Sequence, residues 1–161
     1  MSDPIIIGIA DLNVAKDSEI LVTYALGSCV GICLYDSVSR IAGLAHVMLP
    51  FSAESKDSHN KAKFADTAII ELINKMELIG ANRHRLIAKI AGGAQMFEVK
   101  SQNETFHIGK RNILATKKIL ETLNIQLVAE DIGSDYGRTI EFFSNTGVLR
   151  VKSISKGVIE I

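Results

Sequence analysis

The sequence predicts an α+β fold in which sheet layers are covered by outer helices. Short apolar runs bounded by turn residues cluster at both ends of the chain, and only two stretches carry helical periodicity. The chain has 161 residues, 47% of them hydrophobic, enough for one domain with its own core, residues 1–161.

In chain order, Ile5–Ala10 and Ile20–Ala25 read as strands separated by the polar stretch Asp11–Glu19. Cys29–Tyr35 and Ile41–Leu49 are apolar on both faces, as fully buried strands are, with a hairpin turn at Asp36-Ser37-Val38-Ser39-Arg40. Pro50 to Lys63 is polar and reads as a loop that ends in a helix N-cap at Asp57 or Ser58. Phe64, Ala68, Ile69, Leu72, Ile73 and Met76 recur at helical spacing, and Gly80 is the stop. Leu86–Ala91 is a strand running into Gly92-Gly93. No lysine and hydroxyl follow that glycine pair, so it is no phosphate loop and instead permits close backbone approach. A second helix covers Lys110–Leu123, with Ile113, Leu120 and Leu123 inward. Strands return at Ile125–Glu130, Thr139–Phe143 and Val148–Ile154, the last two joined by a turn at Asn145-Thr146-Gly147.

Several function classes are disfavoured. Eighteen basic residues balance eighteen acidic ones, without the basic excess of a nucleic-acid binder. The amino terminus lacks a signal peptide's positive start, and no apolar run approaches membrane-spanning length. Cys29 and Cys33 on one strand would have Cα atoms roughly 13 Å apart, too far to bridge, so both are expected as free thiols in a reducing cytosol. His59, His84 and His107 show no metal-ligand spacing, and the loop with Asp131 and Asp135 lacks the donors of a calcium site. No cofactor or metal is expected.

The hairpin carries the chemistry. A two-residue turn at Ser37-Val38 would set Tyr35 opposite Arg40, Cys33 opposite Ala42 and Cys29 opposite His46. A shift of two residues would leave Cys29 and His46 as diagonal neighbours; a shift of one would part them to opposite faces. A thiol beside an imidazole is an acyl-transfer pair. Imidazolium stabilises thiolate and later returns the proton to a leaving amine, so Cys29 is expected to react below the usual pH near 8.5. Gly27-Ser28 would supply a bend with backbone N–H groups free to hold an oxyanion. Alone, a buried cysteine or a histidine among apolar neighbours is more often core than catalyst; the pairing gives catalysis equal standing. Cys33 has no polar partner in this register and reads as core.

Val22-Thr23-Tyr24-Ala25-Leu26-Gly27-Ser28-Cys29-Val30, followed by Ala45-His46-Val47-Met48-Leu49-Pro50, resembles the CheD family of chemoreceptor glutamine deamidases. The resemblance continues in order through Phe64-Ala65-Asp66-Thr67-Ala68, Lys89-Ile90-Ala91-Gly92-Gly93-Ala94-Gln95-Met96-Phe97, Ile108-Gly109-Lys110-Arg111-Asn112 and Ala129-Glu130-Asp131. It implies that Cys29 is the nucleophile, His46 the base and Thr23 the group that orients the histidine. It also implies a fold like that of toxin-type glutamine deamidases, two packed mixed or antiparallel sheets with outer helices. The implied substrates are glutamines on the cytoplasmic helices of chemotaxis receptors, and the implied partner is a CheC-type phosphatase. One departure stands in the loop after Glu130-Asp131, where Gly133-Ser134-Asp135 replaces an expected glycine pair. A binding module that regulates the phosphatase, with weak turnover, is the alternative reading.

Overall fold

The computed structural model describes residues 3–96 and 107–161; Met1, Ser2 and the motif residue Phe97 lie outside the described residues. The strands are β1 (Ile5–Ile6), β2 (Asp11–Ala15), β3 (Ile20–Leu26), β4 (Val30–Asp36), β5 (Ile41–Val47), β6 (Ile87–Gly92), β7 (Gln126–Ile132), β8 (Arg138–Phe143), β9 (Leu149–Ser153) and β10 (Gly157–Glu160). The helices are α1 (Ala65–Leu78) and α2 (Ile108–Thr122). One five-stranded sheet runs β1-β3-β8-β9-β10 and the other β2-β5-β4-β6-β7. Both are mixed, because β1–β3 and β6–β7 are parallel while the remaining pairs are antiparallel.

The period-two alternation of side chains divides the core into two layers. Cys33, Tyr35, Ala42 and Leu44 of the second sheet meet Leu21, Ile140, Phe142 and Leu149 of the first, forming the layer between the sheets. Ile32, Leu34, Ala45 and Val47 point the other way, onto Ala68, Ile69, Leu72 and Met76 of α1 and Ile113 and Leu120 of α2. β4 and β5 are buried at every position, and for that reason they read as unbroken apolar runs. The α+β, sheet-rich expectation holds.

The hairpin register differs from the sequence expectation. Asp36 faces Ile41, Tyr35 faces Ala42, and Gly31, not Cys29, faces His46. The loop is four residues long because the buried Asp36 carboxylate organises it. That carboxylate accepts from Val38 N (3.0 Å), from Asn82 N (2.9 Å) and from the Arg85 guanidinium (2.8 and 2.9 Å). Burial alone would raise the Asp36 carboxyl, but the Arg85 guanidinium and the Asn82 amide hold it far below the usual carboxylate range. The displacement is two residues, so every side chain keeps its face.

Other corrections are local. Asp11–Ala15, read as a connector, is an edge strand beside β5, its Asn13 and Asp11 masking the alternation. Neither Asp57 nor Ser58 caps α1; Asn60 caps the short 3-10 turn Lys61–Lys63 through Ala62 N, and α1 follows from Phe64 with no side-chain cap. Leu123 lies just past α2 and is exposed rather than inward. β10 was not anticipated, having no buried face to leave a pattern.

The glycines at the end of β6 permit the close approach expected of them. A Cβ on Gly92 (φ +105°) would lie 2.4 Å from Cys29 O, and one on Gly93 (φ +68°) 2.4 Å from the Ile113 side chain. Gly109 completes the contact, since its Cβ would stand 2.4 Å from Ala94 O and 2.6 Å from Gly93 O. Gly109→Ala is therefore expected to destabilise by about 1–3 kcal/mol, because a backbone clash outweighs the gain of about 1 kcal/mol in helix propensity. Urea unfolding measures it, and an unchanged midpoint would contradict this docking.

Candidate active site

The site is built where the two sheets face each other at the open end of the β4–β5 hairpin. His46 comes from β5 and is fully buried. Thr23 comes from β3 in the opposite sheet and is also fully buried. Their side chains meet across the layer, His46 Nδ1 lying 2.7 Å from Thr23 Oγ1. The same hydroxyl lies 2.7 Å from Ile7 O. A carbonyl can only accept, so the single hydroxyl proton goes to Ile7, and Thr23 Oγ1 must accept from His46 Nδ1–H. The hydrogen-bond network thereby assigns the tautomer: Nε2 carries the lone pair. Among the described residues Nε2 has no hydrogen-bond partner.

Burial lowers the His46 pKa to about 4, so the ring is neutral near pH 7. Burial also pushes the Cys29 thiol up, partly offset by its own backbone N–H. The resting pair is thus thiol and neutral imidazole, not thiolate and imidazolium, which corrects the expectation of a Cys29 activated below its ordinary value. Desolvation of both charged forms is the reason. A neutral base with a free lone pair remains competent to take the proton as sulfur attacks.

Cys29 sits one residue before β4, half-buried against the layer between the sheets. With Gly31 opposite His46, Cys29 is the diagonal neighbour on the same face. Cys33 is fully buried, and burial drives its thiol far up, in keeping with a core residue. Both cysteines are free.

The segment Gly27-Ser28-Cys29 follows a bulge in β3 between Thr23 and Leu26, where Ala25 adopts φ +57°. Such bulges re-aim a strand, and here the chain leaves the first sheet to enter the second. Its carbonyls are all engaged: Gly27 O accepts from Ala94 N (2.8 Å), Cys29 O from Gly93 N (2.8 Å), and Ser28 O from Asn112 Nδ2 (2.9 Å). No carbonyl among the described residues accepts from the N–H groups of Gly27, Ser28 or Cys29.

Two residues at this site were missed in the sequence. Asn112 is fully buried on α2 and bonds both Ser28 O and Met48 O at 2.9 Å. A polar side chain one position before the inward Ile113 was the available signal. Arg138 is buried opposite Leu26 and bonds Asp131 Oδ2 (3.1 Å) and Gly133 O (2.9 Å). It fixes the loop in which Gly133 (φ +76°) and Ser134 (φ +62°) are both left-handed, so the serine takes the conformation a glycine would. Ser134 O then accepts from Gln95 N at 2.8 Å. His59 and His84 are exposed, and His107 Nδ1 lies 2.8 Å from Gln95 Oε1. Among the described residues no group of His, Cys, Asp or Glu is arranged to hold a metal.

Comparison with known proteins agrees with the resemblance. The family model described as CheD chemotactic sensory transduction matches residues 48–153. That span starts after Thr23, Cys29 and His46, whereas similar relatives run over nearly the whole chain. The probable chemoreceptor glutamine deamidase CheD of Caldanaerobacter subterraneus subsp. tengcongensis is 55% identical over 152 residues, covering 94% of each chain. That of Lachnoclostridium phytofermentans is 49% identical over 156 residues, 97% of each. The chemoreceptor glutamine deamidase CheD of Halalkalibacterium halodurans is 49% identical over 162 aligned residues, 100% of each. With about half its residues shared over nearly the full length, this chain belongs to the CheD family.

Proposed function

We propose that this chain, acting as one domain over residues 1–161, is a protein-glutamine deamidase. It hydrolyses side-chain amides of glutamines on chemotaxis receptors to glutamate and releases ammonia. The observation that carries the reading is the buried, neutral His46, its Nδ1–H held by Thr23 and its Nε2 unpartnered among the described residues, on the sheet face that the register also gives to Cys29. Relatives named chemoreceptor glutamine deamidase support the substrate class.

In this mechanism the Cys29 sulfur attacks the δ-carbon of the glutamine while His46 Nε2 takes the thiol proton. The oxyanion is held by backbone N–H groups of Gly27-Ser28-Cys29. As the tetrahedral adduct collapses, the C–N bond breaks and the imidazolium gives its proton to the departing amine, leaving ammonia and a thioester. His46 then takes a proton from water, the water oxygen attacks the thioester carbon, and the sulfur leaves and is reprotonated. The balance is amide plus water to carboxylic acid plus ammonia. Thr23 stays neutral throughout and holds the ring in one tautomer.

The reaction belongs in the cytoplasm, where the receptor helices lie. Two free thiols support that, and among the described residues no helix is long and apolar enough to cross a membrane. A CheC-type phosphatase docks across the same face in this reading, in competition with receptor. The test is ammonia release from a purified receptor fragment. The wild-type protein should release it, and Cys29→Ala should not. Equal release by both, or none by either, contradicts the assignment.

A further inference from the structure

We infer that Asn112 is a positioning residue for the oxyanion hole, turning the Ser28–Cys29 peptide so that its N–H faces the reacting carbonyl. The inference rests on the deamidase reading above and deepens it.

Past the last β4–β5 pair, Val30 with Val47, the ladder stops. The Asn112 carboxamide stands there instead, its Nδ2 at 2.9 Å from both Ser28 O and Met48 O. Two carbonyl partners fix which end of the carboxamide is nitrogen, and both its hydrogens are used. The strand ends are held apart around this amide at the point where the nucleophile sits. Asn112 Oδ1 is buried with no partner among the described residues, so the side chain serves as a donor alone.

In a trans peptide the C=O of one residue and the N–H of the next point in opposite directions. α2 covers the outer face of the second sheet, whereas His46, Thr23 and the Cys29 side chain face the layer between the sheets. Drawing Ser28 O towards α2 therefore directs Cys29 N–H away from the helix, into the layer where the amide carbonyl would react. Gly27 O, held by Ala94 N, turns Ser28 N–H away from Ala94 in the same manner. The Ser28 and Cys29 amides, to which no carbonyl among the described residues is bonded, are thus oriented by anchoring the carbonyls behind them. Neither an aspartate nor a leucine could replace the anchor, because neither donates to a carbonyl.

α2 is seated for this task. Its Gly109 lies against Gly93 and Ala94, so Asn112, one turn on, reaches the nucleophile segment. Thr116 Oγ1 donates to Asn112 O at 2.8 Å and adds a second tie to that turn.

The experiment compares Asn112→Leu, which keeps volume without donors, with the smaller Asn112→Ala, which also lacks a donor, in case the leucine variant does not fold. Two rates are read on each: receptor deamidation and alkylation of Cys29 by iodoacetamide. Alkylation is a displacement at carbon that builds no oxyanion, whereas deamidation must build one. The expected result is kcat lowered by about 10²-fold with KM little changed. Cys29 alkylation should stay within about twofold of wild type, and the acid limb of the pH profile should stay in place. Alkylation falling as far as kcat would mean that Asn112 merely places the thiol, and the inference would be overturned. Full kcat in a folded variant would overturn it as well. If wild-type protein and Cys29→Ala release equally little ammonia, the deamidase reading itself fails. An active wild type with equally active Asn112 variants sinks only the inference.

Discussion

His46→Ala and His46→Gln are expected to lower kcat by about 10⁴-fold, near the upper end of what one general acid–base group contributes. The size follows from the double duty proposed for Nε2, taking the thiol proton and later protonating a poor leaving group. Glutamine roughly keeps the buried volume, so it separates chemistry from packing. Thr23→Val is expected to be milder, about 10–100-fold, because it frees the tautomer and orientation without removing the base. Thr23→Ser keeps the hydroxyl that bridges Ile7 O and His46 Nδ1 and should restore most of the rate. Steady-state ammonia release measures all four. If His46→Gln folded and kept most of its rate, His46 would be a core histidine and no more.

The second large effect is on pH. With His46 at about 4 against an ordinary 6.5, the acid limb of kcat/KM should lie well below pH 6.5. Stability carries the same signature. Between pH 6.5 and 4 the unfolded chain binds a proton at His46 that the folded chain refuses. Stability therefore falls as pH drops through that window, by about 3 kcal/mol from this group. Asp36 works in the same direction at lower pH, since its depressed folded value matters only below the ordinary 3.8. Urea unfolding at a series of pH values should show the slope between 6.5 and 4 in wild type and its loss in His46→Gln. A slope that survives in that variant would place the titrating group elsewhere.

Much of the architecture was legible because burial on both faces leaves unbroken apolar runs, as in β4 and β5, and because α1 keeps its apolar residues in helical register. β2 was not, because an edge strand holding Asp11 and Asn13 resembles a connector. The hairpin register erred by two because Asp36 acts through its side chain, which backbone turn rules do not weigh. The face shared by Cys29 and His46 survived, since parity is robust to an even shift. The Thr23–His46 contact crosses from one sheet to the other, and no local pattern encodes which strands will face each other. Resemblance alone pointed to Thr23. The resting protonation state was misread for a related reason, since burial on that scale is a property of the assembled layers.

The central claim is that Cys29 carries the acyl group. A rapid-quench experiment at acid pH, with receptor fragment in excess, should trap a thioester before hydrolysis. Peptide mapping should place the receptor's glutamyl group on the peptide containing Cys29, with ammonia released in step with its formation, and nothing should accumulate in Cys29→Ala. Ammonia release at the wild-type rate from Cys29→Ala, or an adduct found on Cys33 instead, would contradict the account.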